Sequence, residues 1–131
     1  MPVLRLSRPH ERVAGKGPRS KVVDFESGDW LELAPGVRMQ PLFGQGAMLN
    51  LLEFDADTRV PEHSHPHEQL GMVVEGELVL RIDGVPHRLR PGGAYQIPGG
   101  VPHAAWTEGV ICRVLDVFQP VREDYRDRAG A

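Results

Sequence analysis

The chain is predicted to be all-β, a small antiparallel barrel or sandwich, on three observations. Fifteen glycines and twelve prolines punctuate its 131 residues, so apolar runs rarely pass six residues and long helices have no room. Between residues 78 and 89, two aliphatic-rich segments flank Asp83-Gly84, a turn dipeptide whose positions both tolerate positive φ. Segments of this kind recur at the even spacing of a sandwich or barrel. The length suits one domain with one closed core.

Residues 1–20 carry many charges without a steady period, and 1–25 are expected to form an N-terminal arm. The barrel is expected over 26–120 and a tail or short helix over 121–131. Strands are predicted at 22–25, 37–43 and 47–54, each bounded by Gly, Pro or Asp. Segments 70–74, 78–82 and 85–89 make the central hairpins. After Pro91-Gly92-Gly93 come 94–97, a segment around His103, and 110–118. Residues 121–128, charged and terminal, read as the one short helix.

Composition excludes several classes of function. A net charge of -3 and a pI of about 6.0 leave no broad basic face for nucleic acid, the one basic tract lying at 16–21. Arg5, Arg8 and Pro9 break the first apolar residues, and no run reaches the roughly 18 apolar residues that a membrane span needs. No membrane partner and a cytoplasmic location are therefore expected. The single cysteine, Cys112, cannot form an internal disulfide; between Val110, Ile111, Val114 and Leu115 it reads as a small buried hydrophobe.

Ligand chemistry is concentrated in two places. His63, His65, His67 and Gln69 fall within seven residues, and His103 follows in Pro98-Gly99-Gly100-Val101-Pro102-His103. If 61–65 is extended, His63 and His65 point to one side while Ser64 points to the other. Gln69 shares their odd parity, but Pro66 interrupts the strand, so its direction does not follow from counting. His103, brought in from a distant strand, completes a four-ligand set for one divalent transition metal, with Zn, Ni, Mn and Fe all open. Three neutral imidazoles and an amide leave the ion's charge uncompensated, which favours an anionic ligand.

His63-x-His65-x3-Gln69-x6-Gly76 followed by Gly92-x5-Pro98-x-Gly100-x2-His103 resembles the two signature motifs of the cupin superfamily, with Asp83-Gly84 in the hairpin between them. The resemblance implies a jelly-roll barrel with a metal held inside by His63, His65, Gln69 and His103, and a homodimer in which the first strands cross to a partner. Three positions depart from the pattern: Asp57 stands at the opening glycine, Gln69 at the usual glutamate and Thr107 at the closing asparagine.

Residues 63–69, taken with 115–125, look like the cupins of pectin and alginate breakdown that ketonise unsaturated uronates. That narrower resemblance implies three further site residues. Arg122 would hold a sugar carboxylate, Asp116 would move the proton that turns an enol into a ketone, and Phe118 would shape the apolar wall. The implied partner is a small anionic molecule, a sugar acid. An iron-dependent dioxygenase cupin and a non-catalytic small-molecule-binding cupin are the alternatives.

Overall fold

The computed structural model describes residues 12–14 and 19–131. Within them run twelve strands: β1 (Arg12–Ala14), β2 (Ser20–Val22), β3 (Leu31–Ala34), β4 (Val37–Phe43), β5 (Met48–Phe54), β6 (Arg59–His63), β7 (Glu68–Gly76), β8 (Leu78–Ile82), β9 (Val85–Leu89), β10 (Ala94–Ile97), β11 (His103–Trp106) and β12 (Cys112–Gln119). One helix, α1 (Glu123–Ala129), follows. β1 and β2 form a separate ladder; the others form a six-stranded sheet ordered β10-β7-β12-β5-β4-β3 and a four-stranded sheet ordered β6-β11-β8-β9, every pairing antiparallel. The chain is thus all-β with a short C-terminal helix, as predicted.

Alternation along the strands builds the interior. On β5, Met48, Asn50, Leu52 and Phe54 are buried while Leu49, Leu51 and Glu53 turn the other way; β12 repeats the pattern. Val37, Met39, Leu52, Phe54, Val73 and Val114 of the larger sheet meet Leu78 and Leu80 of the smaller one in the main core. Each such side chain taken from water contributes about 1.5–3 kcal/mol. A second cluster of Phe43, Met48, Phe118, Val121 and Ala129 seats α1. Cys112 is buried, as expected. The hairpin between β8 and β9 turns at Asp83 and Gly84, with φ of 49° and 80°.

Local chemistry overrides the pattern at several points. The strand expected at 22–25 stops at Val22, because the Asp24 carboxylate accepts from the Glu26 N–H (3.0 Å) and the Ser27 hydroxyl (3.1 Å), winding Phe25–Ser27 into a 3-10 turn. β3 was not predicted; it folds back on β4 beyond Pro35-Gly36. β6 ends at His63, so the extended reading of 61–65 fails beyond that residue and His65 lies in a loop; Pro61 is tolerated because β6 is an edge strand. β7 starts two residues earlier than expected and takes in Gln69.

Trp30 and Trp106 each pack against an arginine. Arg113 lies 5.6 Å from the ring of Trp30, and Arg59 lies 4.8 Å from that of Trp106, cation–π contacts of the outer surface. The arm expected over 1–25 and the basic tract at 16–21 fall largely outside the described residues. Two departures from the motif find partners. Asp57 takes the left-handed φ of 55° that a glycine would supply and accepts from the Gly109 N–H (2.9 Å). The Thr107 hydroxyl accepts from the Thr58 N–H (3.0 Å) and donates to the Asp55 carbonyl (2.6 Å), tying the same two loops.

Candidate metal centre

The histidine site forms where β6 hands over to β7 and the chain passes from one sheet to the other. His63 and His103 lie directly opposite each other on paired strands of the smaller sheet, their rings 4.3 Å apart. His65 reaches in from the loop that follows β6, held there by the Gly100 N–H on its carbonyl (2.8 Å). One nitrogen from each of the three imidazoles lies within 4.8 Å of the other two, an arrangement that can hold one ion.

Backbone carbonyls set the orientation of each ring. Nδ1 of His63 lies 2.9 Å from the Pro61 carbonyl, that of His65 3.1 Å from the His67 carbonyl and that of His103 2.9 Å from the Val101 carbonyl. Carbonyls only accept, so each Nδ1 carries a proton and Nε2 is the nitrogen left to face a ligand. Burial, with help from the Arg122 charge, pushes the His65 imidazole down to about 4; burial also lowers His103. Both are therefore neutral near pH 7.

Two observations test whether these residues fit a cation. Nε2 of His103 is buried with no hydrogen-bond partner among the described residues. Nε2 of His65 lies 3.0 Å from Oε1 of Gln69, whose amide nitrogen donates to Oδ2 of Asp116 (3.2 Å). With Asp116 ionised, that contact sets two acceptors face to face, and a positive ion between them resolves it. His63, His65, His103 and Gln69 thus fit a single divalent cation.

From Gln69 the polar chain continues across the larger sheet. Asp116, 3% exposed, receives the Gln69 amide on Oδ2 and the Tyr95 hydroxyl on Oδ1 (2.5 Å). Tyr95, Gly71 and Asp116 occupy one row of the sheet, and Tyr95 crosses above Gly71 to make its bond; a Cβ at Gly71 would run into the Tyr95 hydroxyl and the Asp116 carboxylate. Burial raises Asp116 to about 6, against the two hydrogen bonds and the Arg122 charge, which all lower it. Burial first, then the Asp116 charge, raises Tyr95 well above the usual phenol range, so it stays a donor.

All seven residues singled out in the sequence come together. Gln69 points inward despite Pro66. Phe118 sets its ring edge-on to His65, 5.6 Å between centroids, and belongs equally to the core beneath α1. Arg122 joins His63, His103, Gln69, Tyr95, Asp116 and Phe118 around an inner cavity of about 70 Å3. A vestibule of about 290 Å3, bordered by His63, Arg122, Asp124, Tyr125 and Arg128, adjoins it. His67 stays out of the ligand cluster and serves through its carbonyl. The Tyr95–Asp116 bond was missed: only strand register, which the sequence does not print, puts Tyr95 beside Gly71.

Fold and site together define a small double-sheet β-barrel with a histidine cluster that can hold a metal ion. A family model described as the cupin domain matches residues 50–118, over half of the chain, and the chain belongs to that family. Its fold is similar to that of KdgF from Halomonas sp., with a TM-score of 0.74 and 29% identity, covering 78% of this chain and 94% of that one. It is 40% identical over 57 residues to the HTH-type transcriptional regulator PuuR of Escherichia coli, covering 43% of this chain and 31% of the regulator. It is 32% identical over 97 residues to the dimethylsulfoniopropionate lyase DddW of Ruegeria pomeroyi, covering 72% of this chain and 62% of the lyase. The chain thus spans about a third of one of these curated relatives and under two thirds of the other. No helix among the described residues is long and apolar enough to cross a membrane.

Proposed function

We propose that this cupin is a metal-dependent enzyme acting on a small sugar acid, ketonising or isomerising an unsaturated uronate by proton transfer. The observation that carries the reading is the inner cavity. A histidine cluster, a buried carboxylate and a guanidinium face the same small space. His63, His65, His103 and Gln69 would hold the metal, which when bound supplies a Lewis acid for a hydroxyl or ring oxygen. Arg122 pairs with the substrate carboxylate, and Phe118 closes the apolar wall.

Asp116, steadied by Tyr95 and Gln69, moves the proton. In ketonisation the enol O–H gives up its proton, the double-bond pair takes one at carbon, and the C–O bond becomes C=O. No oxidant enters. The likeness to KdgF, and a lyase relative whose named substrate is also a small carboxylate, support an acid as ligand.

The reading includes a cytoplasmic homodimer. Leu70, Met72 and Val74 are exposed on the outer face of the six-stranded sheet, an apolar strip that a second copy would cover.

The test is an anaerobic assay of metal-loaded protein with a 4,5-unsaturated uronate, following the conjugated enol absorbance. Accelerated loss without oxygen is expected; metal-replete protein that gives no turnover, or turns over only with oxygen, contradicts the reading.

A further inference from the structure

Arg122 is held on more sides than a ligand-binding arginine exposed to water would be. Its Nε and Nη2 donate side-on to the two oxygens of Asp124, at 3.2 and 2.7 Å, and its Nη1 donates to the Tyr125 hydroxyl at 2.9 Å. The guanidinium carbon lies 3.9 Å from the centre of the Tyr125 ring and 5.0 Å from that of Phe118. A guanidinium has five N–H groups, and these contacts use three of them. The remaining two lie one on Nη1 and one on Nη2, the two nitrogens whose end-on edge matches a carboxylate.

The sequence puts all three residues on one rigid piece. Arg122 is the N-cap of α1, and Asp124 and Tyr125 stand in its first turn. Val121 and Ala129 seat that helix in the core, and Arg128 ties it to the Glu32 carbonyl (3.1 Å).

We infer that Asp124 and Tyr125 are positioning residues that lock the Arg122 guanidinium so that only its end-on N–H pair is offered to a ligand carboxylate. This rests on the reading of the site as one for a small sugar acid. The C-terminal helix is then part of the binding apparatus. Judged by charge alone, Asp124→Asn removes a negative group beside an anion site and should tighten anion binding. Judged by the lock, the same change frees the guanidinium to swing and weakens binding.

The experiment titrates D-galacturonate, and D-galactose as its neutral counterpart, into metal-loaded protein by calorimetry. The proteins are wild type, Asp124→Asn, Tyr125→Phe, Arg122→Lys and the two doubles with Arg122→Lys. Each positioning variant should weaken galacturonate about five-fold, leave galactose, bound metal and melting temperature unchanged, and add nothing in the Arg122→Lys background. Asp124→Asn protein that binds galacturonate as well as or better than wild type overturns the lock.

A second readout separates the lock from the ligand. The Arg122 Nε–H proton should exchange slowly in nitrogen-resolved NMR of wild type and become fast in Asp124→Asn. Equal exchange in the two proteins overturns the positioning role. A retained exchange difference with wild type indifferent between galacturonate and galactose sinks the sugar-acid reading instead, while the lock itself stands.

Discussion

Two ends of the same barrel interior differ in chemistry over very few residues. Toward one end β5, β7 and β12 bury Leu52, Val73 and Val114, which pack against Leu78 and Leu80. Two to four residues along, the same strands and the same face bury Asn50, Gln69 and Asp116, with the histidines opposite. Parity decides which side chains point inward, and nothing in parity decides whether they are apolar. The apolar end holds the sheets together through side-chain packing, and Leu52, Leu78, Leu80 and Val114 also give the inner cavity its apolar wall. At the polar end Gln69 and Asp116 are partnered, whereas Oδ1 of Asn50 and Nε2 of His103 are buried without a hydrogen-bond partner among the described residues, and the His103 nitrogen sits where a cation fits.

The sharpest way to break that contrast is His103→Ala. Metal affinity should fall by more than about 100-fold, measured as metal per chain after dialysis, while the metal-free protein keeps its β-sheet circular dichroism. Comparable loss of the fold would mean that the polar end is structural. At the other end, Val73→Ala should cost about 1–3 kcal/mol in urea unfolding, because a fully buried side chain loses its packing. Its metal content should not change; if it falls with stability, the two ends are not separable.

Between these lies Gly71→Ala. The new methyl group displaces Tyr95 from Asp116, so turnover should drop at least about ten-fold with metal retained, read by the enol assay beside metal analysis. Full activity in that variant would remove Tyr95 from the account.

The smallest effect belongs to the outer surface. Burial raises the Glu53 carboxyl, but its bonds to Arg38 (2.6 Å) and Arg113 (2.7 Å) prevail and lower it. A carboxylate lowered in the folded state stabilises fully above its unfolded value, about 4.3, and loses that contribution as pH falls through the folded value. The melting temperature should therefore decline below about pH 4.3 more steeply in wild type than in Glu53→Gln. Identical profiles would show that the ion pairs carry no net stability.

Much of this was legible in the residues. Punctuation by Gly and Pro located the strands from residue 37 onward except β6, with small shifts at their ends, and the spacing of His63, His65 and His103 marked the cluster. What could not be read depended on long-range register or local competition. β3 is only four residues long, Leu31–Ala34, too short for its alternation to stand alone. The side chain of Asp24 stopped a strand that composition favoured. Gln69 lay beyond a proline, and its direction came only from the pairing of β7 with β12. Tyr95 reads as one more core aromatic until the row through Gly71 brings it to Asp116.

The central claim is that His63, His65, Gln69 and His103 meet around one cation inside the barrel. A crystal structure of metal-replete protein, with anomalous data at the metal edge, tests it most directly. The account predicts one strong peak with the Nε2 atoms of the three histidines and Oε1 of Gln69 within about 2.0–2.3 Å of it. A peak elsewhere, or those four atoms standing apart with the ion absent from protein shown to be metal-replete, would contradict it.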